Sequence, residues 1–263
     1  MRTAIVSTLI VLSAACGGGA PETQPAPTNF TASPAQLDSL LGNAQALLAA
    51  RDWDKAAIAY ERLLLELPRG DRRLPAARLA LGESRMGLKS YLQAVREFRR
   101  TADEYPTDSL APMGLLRAGD AYAELWRRPE LDPTYGIQAL ATFQELLTRY
   151  PESATAVTGR ERVAGLNEWF ALKEFKNGNF YLRYKAYDSA ILVFKDLVAK
   201  YPRTSIAPQA LEELVSAYRR LGYVEDVEEM CGYFRTNYPD SSRLATTCPQ
   251  TLATPPAGTS PGD

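Results

Sequence analysis

Histidine is missing from all 263 residues, and with it go the commonest general base and the commonest metal ligand of proteins. Net charge is nearly absent too, because 30 Lys and Arg against 31 Asp and Glu leave a formal charge of -1. A chain without a basic field has nothing to hold nucleic acid by counterion release, so no nucleic-acid partner is expected. Cysteine is scarce, and Cys16, Cys231 and Cys248 lack the spacing of metal ligands. The glycine patterns of phosphate loops and dinucleotide turns are missing as well, since Gly17 to Gly19 sit in a Pro-rich stretch instead of after a strand. The carboxylate pairs Glu212/Glu213 and Glu228/Glu229 are neighbours on helical sequence, where adjacent residues point in different directions. No catalytic residue, metal or cofactor is therefore expected, and the chain does not read as an enzyme.

Long apolar runs are lacking. The one candidate, Ala4 to Leu12, is far short of the roughly 20 residues that span a bilayer. With Arg2 before it and small residues after it, residues 1–15 read as a secretory signal. The ending Leu12-Ser13-Ala14-Ala15-Cys16 resembles a bacterial lipobox, with Ser13 where Leu is usual, and makes Cys16 the expected lipidated first residue of the mature chain. Several acyl chains on Cys16 would hold the protein to a lipid bilayer stably. Residues 16–33, rich in Gly, Pro and Thr, read as a flexible tether. Ser33 followed by Pro34 predicts a helix start, with Ser as N-cap and Pro in the first turn. Beyond residue 239, the Thr-, Pro- and Gly-rich end, 240–263, reads as a disordered tail.

What fills the region between, 34–239, is one pattern written five times. Ala190, Phe194, Leu197, Tyr201 and Pro202 define it. The copies are Ala56/Tyr60/Leu63/Leu67/Pro68, Ala94/Phe98/Thr101/Tyr105/Pro106, Ala139/Phe143/Leu146/Tyr150/Pro151 and the degenerate Val227/Cys231/Phe234/Tyr238/Pro239. Apolar residues at i, i+4, i+7 and i+11 make one stripe of an α-helix. Proline stops that helix and disfavours αR in the residue before it. One stripe cannot bury itself, so each block needs a partner helix, and the partners lie upstream in Leu37 to Ala50, Pro75 to Leu88, Ala111 to Trp126, a stretch ending near Arg183, and Ile206 to Gly222. Gly82 and Gly178 stand twelve residues before Ala94 and Ala190, a spacing that lets two helices approach closely.

This skeleton resembles the tetratricopeptide repeat, which implies an all-α, right-handed α-solenoid of five helix-turn-helix units. Two departures stand out. From Gly119 to Ala139 is twenty residues, eight more than in the other repeats, and Trp126-Arg-Arg-Pro-Glu-Leu-Asp-Pro-Thr predicts a loop there. Between Pro151 and Pro202 the chain again exceeds a repeat, which predicts either an added helix or an extended first helix. Cys231 occupies the slot that holds Phe or Tyr in the other copies. It reads either as a small buried hydrophobe or as a partner for Cys248 in an oxidising compartment, and spacing alone does not choose.

The irregular lengths, together with Ala139-Leu-Ala-Thr-Phe-Gln-Glu-Leu-Leu-Thr-Arg-Tyr-Pro-Glu-Ser and Ala171 through Phe194, resemble the BamD family of outer-membrane assembly lipoproteins. The resemblance implies a non-enzymatic, lipid-anchored scaffold on the periplasmic face of the outer membrane. Its implied partners are unfolded outer-membrane proteins and a barrel-type core subunit with periplasmic domains. Gly17 after the cysteine fits outer-membrane sorting. Counting from the small residue of each repeat puts Asp38, Leu41, Gln45, Leu79, Glu83, Met86, Leu116 and Asp120 on the concave wall as an expected peptide groove. The aromatics Trp169, Phe170, Phe175, Phe180, Tyr181, Tyr184 and Tyr187 read mainly as core of the fourth repeat and the added helix, with Arg183, Tyr184 and Lys185 at the turn as the expected docking contacts. The other reading, a periplasmic repeat protein that coordinates cell-wall synthesis or envelope constriction, shares the repeats and the anchor but not the two irregular lengths.

Overall fold

The computed structural model describes residues 32–249. The expected signal, Cys16 with nearly all of the tether, and the end of the expected tail lie outside these residues.

Every block forms the helix its stripe predicts. The pairs are α1 (Pro34–Ala49) with α2 (Trp53–Glu66), α3 (Leu74–Gly87) with α4 (Tyr91–Glu104), and α5 (Ala111–Ala123) with α6 (Thr134–Arg149). They continue as α7 (Ala154–Arg183) with α8 (Tyr187–Lys200) and α9 (Ala207–Leu221) with α10 (Val224–Asn237), followed by the short α11 (Leu244–Thr247). Ser33 caps α1 as expected, and its side chain and that of Gln36 satisfy each other's backbone N–H in a capping box. At the other ends, Tyr105, Tyr150, Tyr201 and Tyr238 leave the helical region, with φ between -125° and -138°, because each precedes a proline.

Each helix packs on the next in sequence, and α3 also touches α5, α5 touches α7, and α7 touches α9. No two even-numbered helices make comparable packing. The layer whose members approach one another is the inside of the curve, so the odd helices line the concave wall of an all-α solenoid of tetratricopeptide type. In the second, third and fourth pairs a small residue on the odd helix faces a large one on the even helix. A Cβ on Gly82, Gly119 or Gly178 would run into the ring of Phe98, Phe143 or Phe194 respectively, and the three rings are fully buried.

The two irregular lengths resolve differently. Eight extra residues in the third repeat make a loop, as the two prolines predict, but its first residues fold back. Trp126 is buried against Phe170, with ring centroids 4.6 Å apart, and against Trp169 at 5.7 Å. Lys173 of α7 donates to the carbonyls of Pro129, at 3.3 Å, and Leu131, at 3.1 Å, and Lys176 pairs with Glu130. The second excess is a single extended helix: α7 runs 30 residues. Its first half packs on α5 and α6 and its second on α8 and α9.

Residues 240–249 of the expected tail are ordered, and the rest of it lies outside the described residues. Residues 240–249 pack on the last repeat, with Leu244 against the apolar cluster of α9 and α10 and Cys248 bonded to Cys231. The contacts that a reading by composition misses are the disulfide and the pairing of Arg243 with Glu212.

Candidate functional site

The expected groove residues fall on the odd helices, but the fold does not use them alike. Asp38 is exposed and pairs with Arg73 at 2.6 Å, while Arg73 also grips Asp71 at 2.8 Å. The Arg73 guanidinium and its backbone N–H hold the Asp71 carboxyl down at about 2. Leu41 leans on the first core cluster and Gln45 faces solvent. Leu79 and Met86 are half-buried against Ala94, Val95 and Phe98. Leu116 is not a wall residue. It is 6% exposed, because the third-repeat loop brings Trp126 over α5 and the long α7 brings Leu166 and Phe170 to the same cluster.

Glu83 and Asp120 are joined by a residue that the sequence pattern did not single out. Arg117 of α5 donates through Nε and Nη2 to both Glu83 carboxylate oxygens at 2.6 Å, and through Nη1 to Asp120 at 2.9 Å. Arg162 of α7 donates to the other Asp120 oxygen at 2.9 Å. Glu83, Arg117, Asp120 and Arg162 thus form a ladder of alternating charge across α3, α5 and α7. The Glu83 carboxylate pins Arg117 in its charged form, and Arg117 lies over the Phe98 ring with its Cζ 5.6 Å from the centroid. The ladder is therefore polar in its atoms while its four charges offset one another in pairs. Such a surface offers directional donors and acceptors beside the apolar Leu79 and Met86, without attracting either sign of charge from a distance.

The second surface lies where α7 turns into α8, and here the expectation of core aromatics needs correction. Phe170, Phe175 and Tyr187 do pack inside. Phe180 at 47%, Tyr181 at 37% and Tyr184 at 72% exposure do not. The inward stripe of α7 is already filled by Ala171, Phe175, Gly178 and Leu182, at helical spacings of four, three and four. Phe180 and Tyr184 fall off that stripe, and this offset was the readable signal. They pack against each other instead, with centroids 4.7 Å apart and ring planes tilted by 50°. Lys185 takes the left-handed conformation, φ 57°, that turns the chain, and the turn closes through Ala186 N–H to the Tyr181 carbonyl at 3.0 Å. Arg183, Tyr184 and Lys185 are all exposed there. A crevice of about 460 Å³, lined by Asn177, Phe180, Tyr181 and Val193, opens on one flank. A second of about 560 Å³, lined by Glu130, Lys176, Asn179, Leu182 and Arg183, opens on the other.

Residues 35–231 match the family profile described as YfiO, outer membrane lipoprotein. The outer membrane protein assembly factor BamD of Rickettsia prowazekii (strain Madrid E) is 23% identical over 239 residues, covering 91% of this chain and 93% of its own. The protein of the same name from Caulobacter vibrioides is 28% identical over 149 residues, covering 57% and 49%. Among solved structures, the TPR2AB domain of yeast Sti1 in its pHSP90 complex covers 82% of both chains at 14% identity and a TM-score of 0.45. The match takes in all five repeats up to the middle of α10, and the chain belongs to the YfiO family of outer membrane lipoproteins, the family of the BamD assembly factors.

Proposed function

We propose that this chain is a non-enzymatic scaffold for the assembly of outer-membrane β-barrel proteins. Acylated Cys16 holds it to the periplasmic face of the outer membrane. The concave wall of the first three repeats receives an extended segment of an unfolded barrel, and the α7–α8 turn docks periplasmic domains of a barrel-type core subunit.

The observation that carries this reading is the exposed aromatic cluster of Phe180, Tyr181 and Tyr184 beside Arg183 and Lys185. Aromatic side chains flanked by Arg, next to concave crevices, are the composition of a protein–protein anchor. The internally paired ladder on the wall supports the other half. An arriving segment meets no net charge, so its backbone bonds to fixed polar groups and its apolar side chains settle against Leu79 and Met86. Neither step forms or breaks a covalent bond. The names of the relatives, assembly factors of outer membrane proteins, point the same way.

A photocrosslinking amino acid placed at Tyr184, and separately at Met86, tests the division of labour in intact envelopes. The first is expected to trap one large β-barrel subunit bearing periplasmic domains, and the second a range of unfolded outer-membrane proteins. Trapping of cell-wall synthases alone at both positions would overturn the proposal.

A further inference from the structure

The last repeat breaks the rule that the others keep. In repeats one, two and four a small residue stands sixteen positions before a large aromatic: Ala44 before Tyr60, Gly82 before Phe98, Gly178 before Phe194. In the fifth the pair is Val215 and Cys231, the large member moved to the odd helix and the ring replaced by a thiol. Both are buried. Among the described residues no further repeat follows α10. Only Cys231 and Phe234 are buried along its 14 residues. What lies over it is α11, four residues long, too short to hold itself as a helix.

We propose that Cys231 and Cys248 are an oxidation site on which the fifth repeat depends, so that α11 is latched over α9 and α10 only after the chain has reached an oxidising compartment. The disulfide spans a separation of 17 residues, and Cys231 and Cys248 are 5% and 3% exposed. Both flanking helices reach for the same segment. Arg219 of α9 donates to the Thr247 carbonyl, and Arg235 of α10 donates to that of Cys248 at 3.5 Å. Arg243 at the start of α11 pairs with Glu212 of α9. These polar contacts aim the segment, while its apolar contribution is Leu244 and the two sulfurs.

The chemistry balances with a disulfide-bearing oxidant. One cysteine thiolate attacks it to give a mixed disulfide, and the second displaces the oxidant's sulfur. Two electrons and two protons pass to the oxidant, which leaves as its dithiol. The first four repeats contain no cysteine and are indifferent to this step.

The mature full-length chain in detergent, followed by hydrogen exchange with and without a phosphine reductant, tests the inference. Reduction is expected to speed exchange across 207–248 by roughly a hundredfold, the loss of loop constraint of a bridge this size, and to leave 34–200 unchanged. The Cys231→Ala/Cys248→Ala variant should exchange like the reduced protein and ignore the reductant. Equal protection in oxidised, reduced and variant protein would overturn the latch. So would free thiols at both cysteines in protein recovered from the envelope, titrated after denaturation without reductant.

Discussion

At the scale of single residues, the fold turns on complementary volumes. Gly178 has no room for a side chain because the Phe194 ring lies where its Cβ would be, whereas a Cβ on Gly165, also on α7, would point into open space. Gly178→Leu is therefore expected to cost about 1–3 kcal/mol through overpacking. Gly165→Ala should instead stabilise by about 0.5–1 kcal/mol through helix propensity. Urea unfolding midpoints of the two variants decide it, and equal effects would remove the volume argument. Residues of this kind were legible, since the spacing of Gly82 and Gly178 to their partner helices marks close approach. Arg117 and Arg162 were not. They meet acids 34 and 42 positions away, and no local period encodes such a pair. Leu116 was misplaced for a related reason: its neighbours Leu166 and Phe170 come from the next repeat, and Trp126 from the irregular loop of its own.

At the scale of elements, the third-repeat loop and α7 act together. Trp126 plugs the space over Gly136, where a Cβ would strike its ring, and α7 supplies both the aromatic wall and the two lysines that clamp the loop. Trp126→Ala is expected to lower stability by about 3–5 kcal/mol and to open residues 127–133 to limited proteolysis. Unchanged stability with an unchanged cleavage pattern would show that the loop is a passive insertion. The two prolines told of a loop but not of its anchor, because a tryptophan at a loop edge carries no period. The choice between an added helix and one extended helix was equally hidden. Gly159 and Gly165 cost a helix only about 1 kcal/mol each, and no proline interrupts residues 154–183, so packing on both sides decides for continuity. Residues 240–249 were not legible from composition: Ser, Thr and Pro around Leu244 read as loose, whereas Leu244 packs on the last repeat and Cys248 is bonded to Cys231.

At the scale of the whole molecule, the five repeats and their order were plain in the sequence, since each carries its own stop signal. What no single repeat contains is the curve, which arises from odd helices touching odd helices. Anchoring belongs to this scale as well. Cys16→Ser is expected to move the protein from the outer-membrane fraction to the soluble periplasm, with its circular dichroism unchanged. Continued sedimentation with outer membrane would overturn lipid anchoring through that residue. One further property follows from α7. A continuous helix of 30 residues is about 45 Å long; its first half packs on α5 and α6, and its second half both packs on α8 and clamps the third-repeat loop. The chain thus lacks a joint at its midpoint. A load applied to the aromatic turn at the end of this rod is delivered as torque to the groove-bearing repeats instead of being absorbed by a hinge, so whatever grips the turn also sets the angle at which the groove is presented.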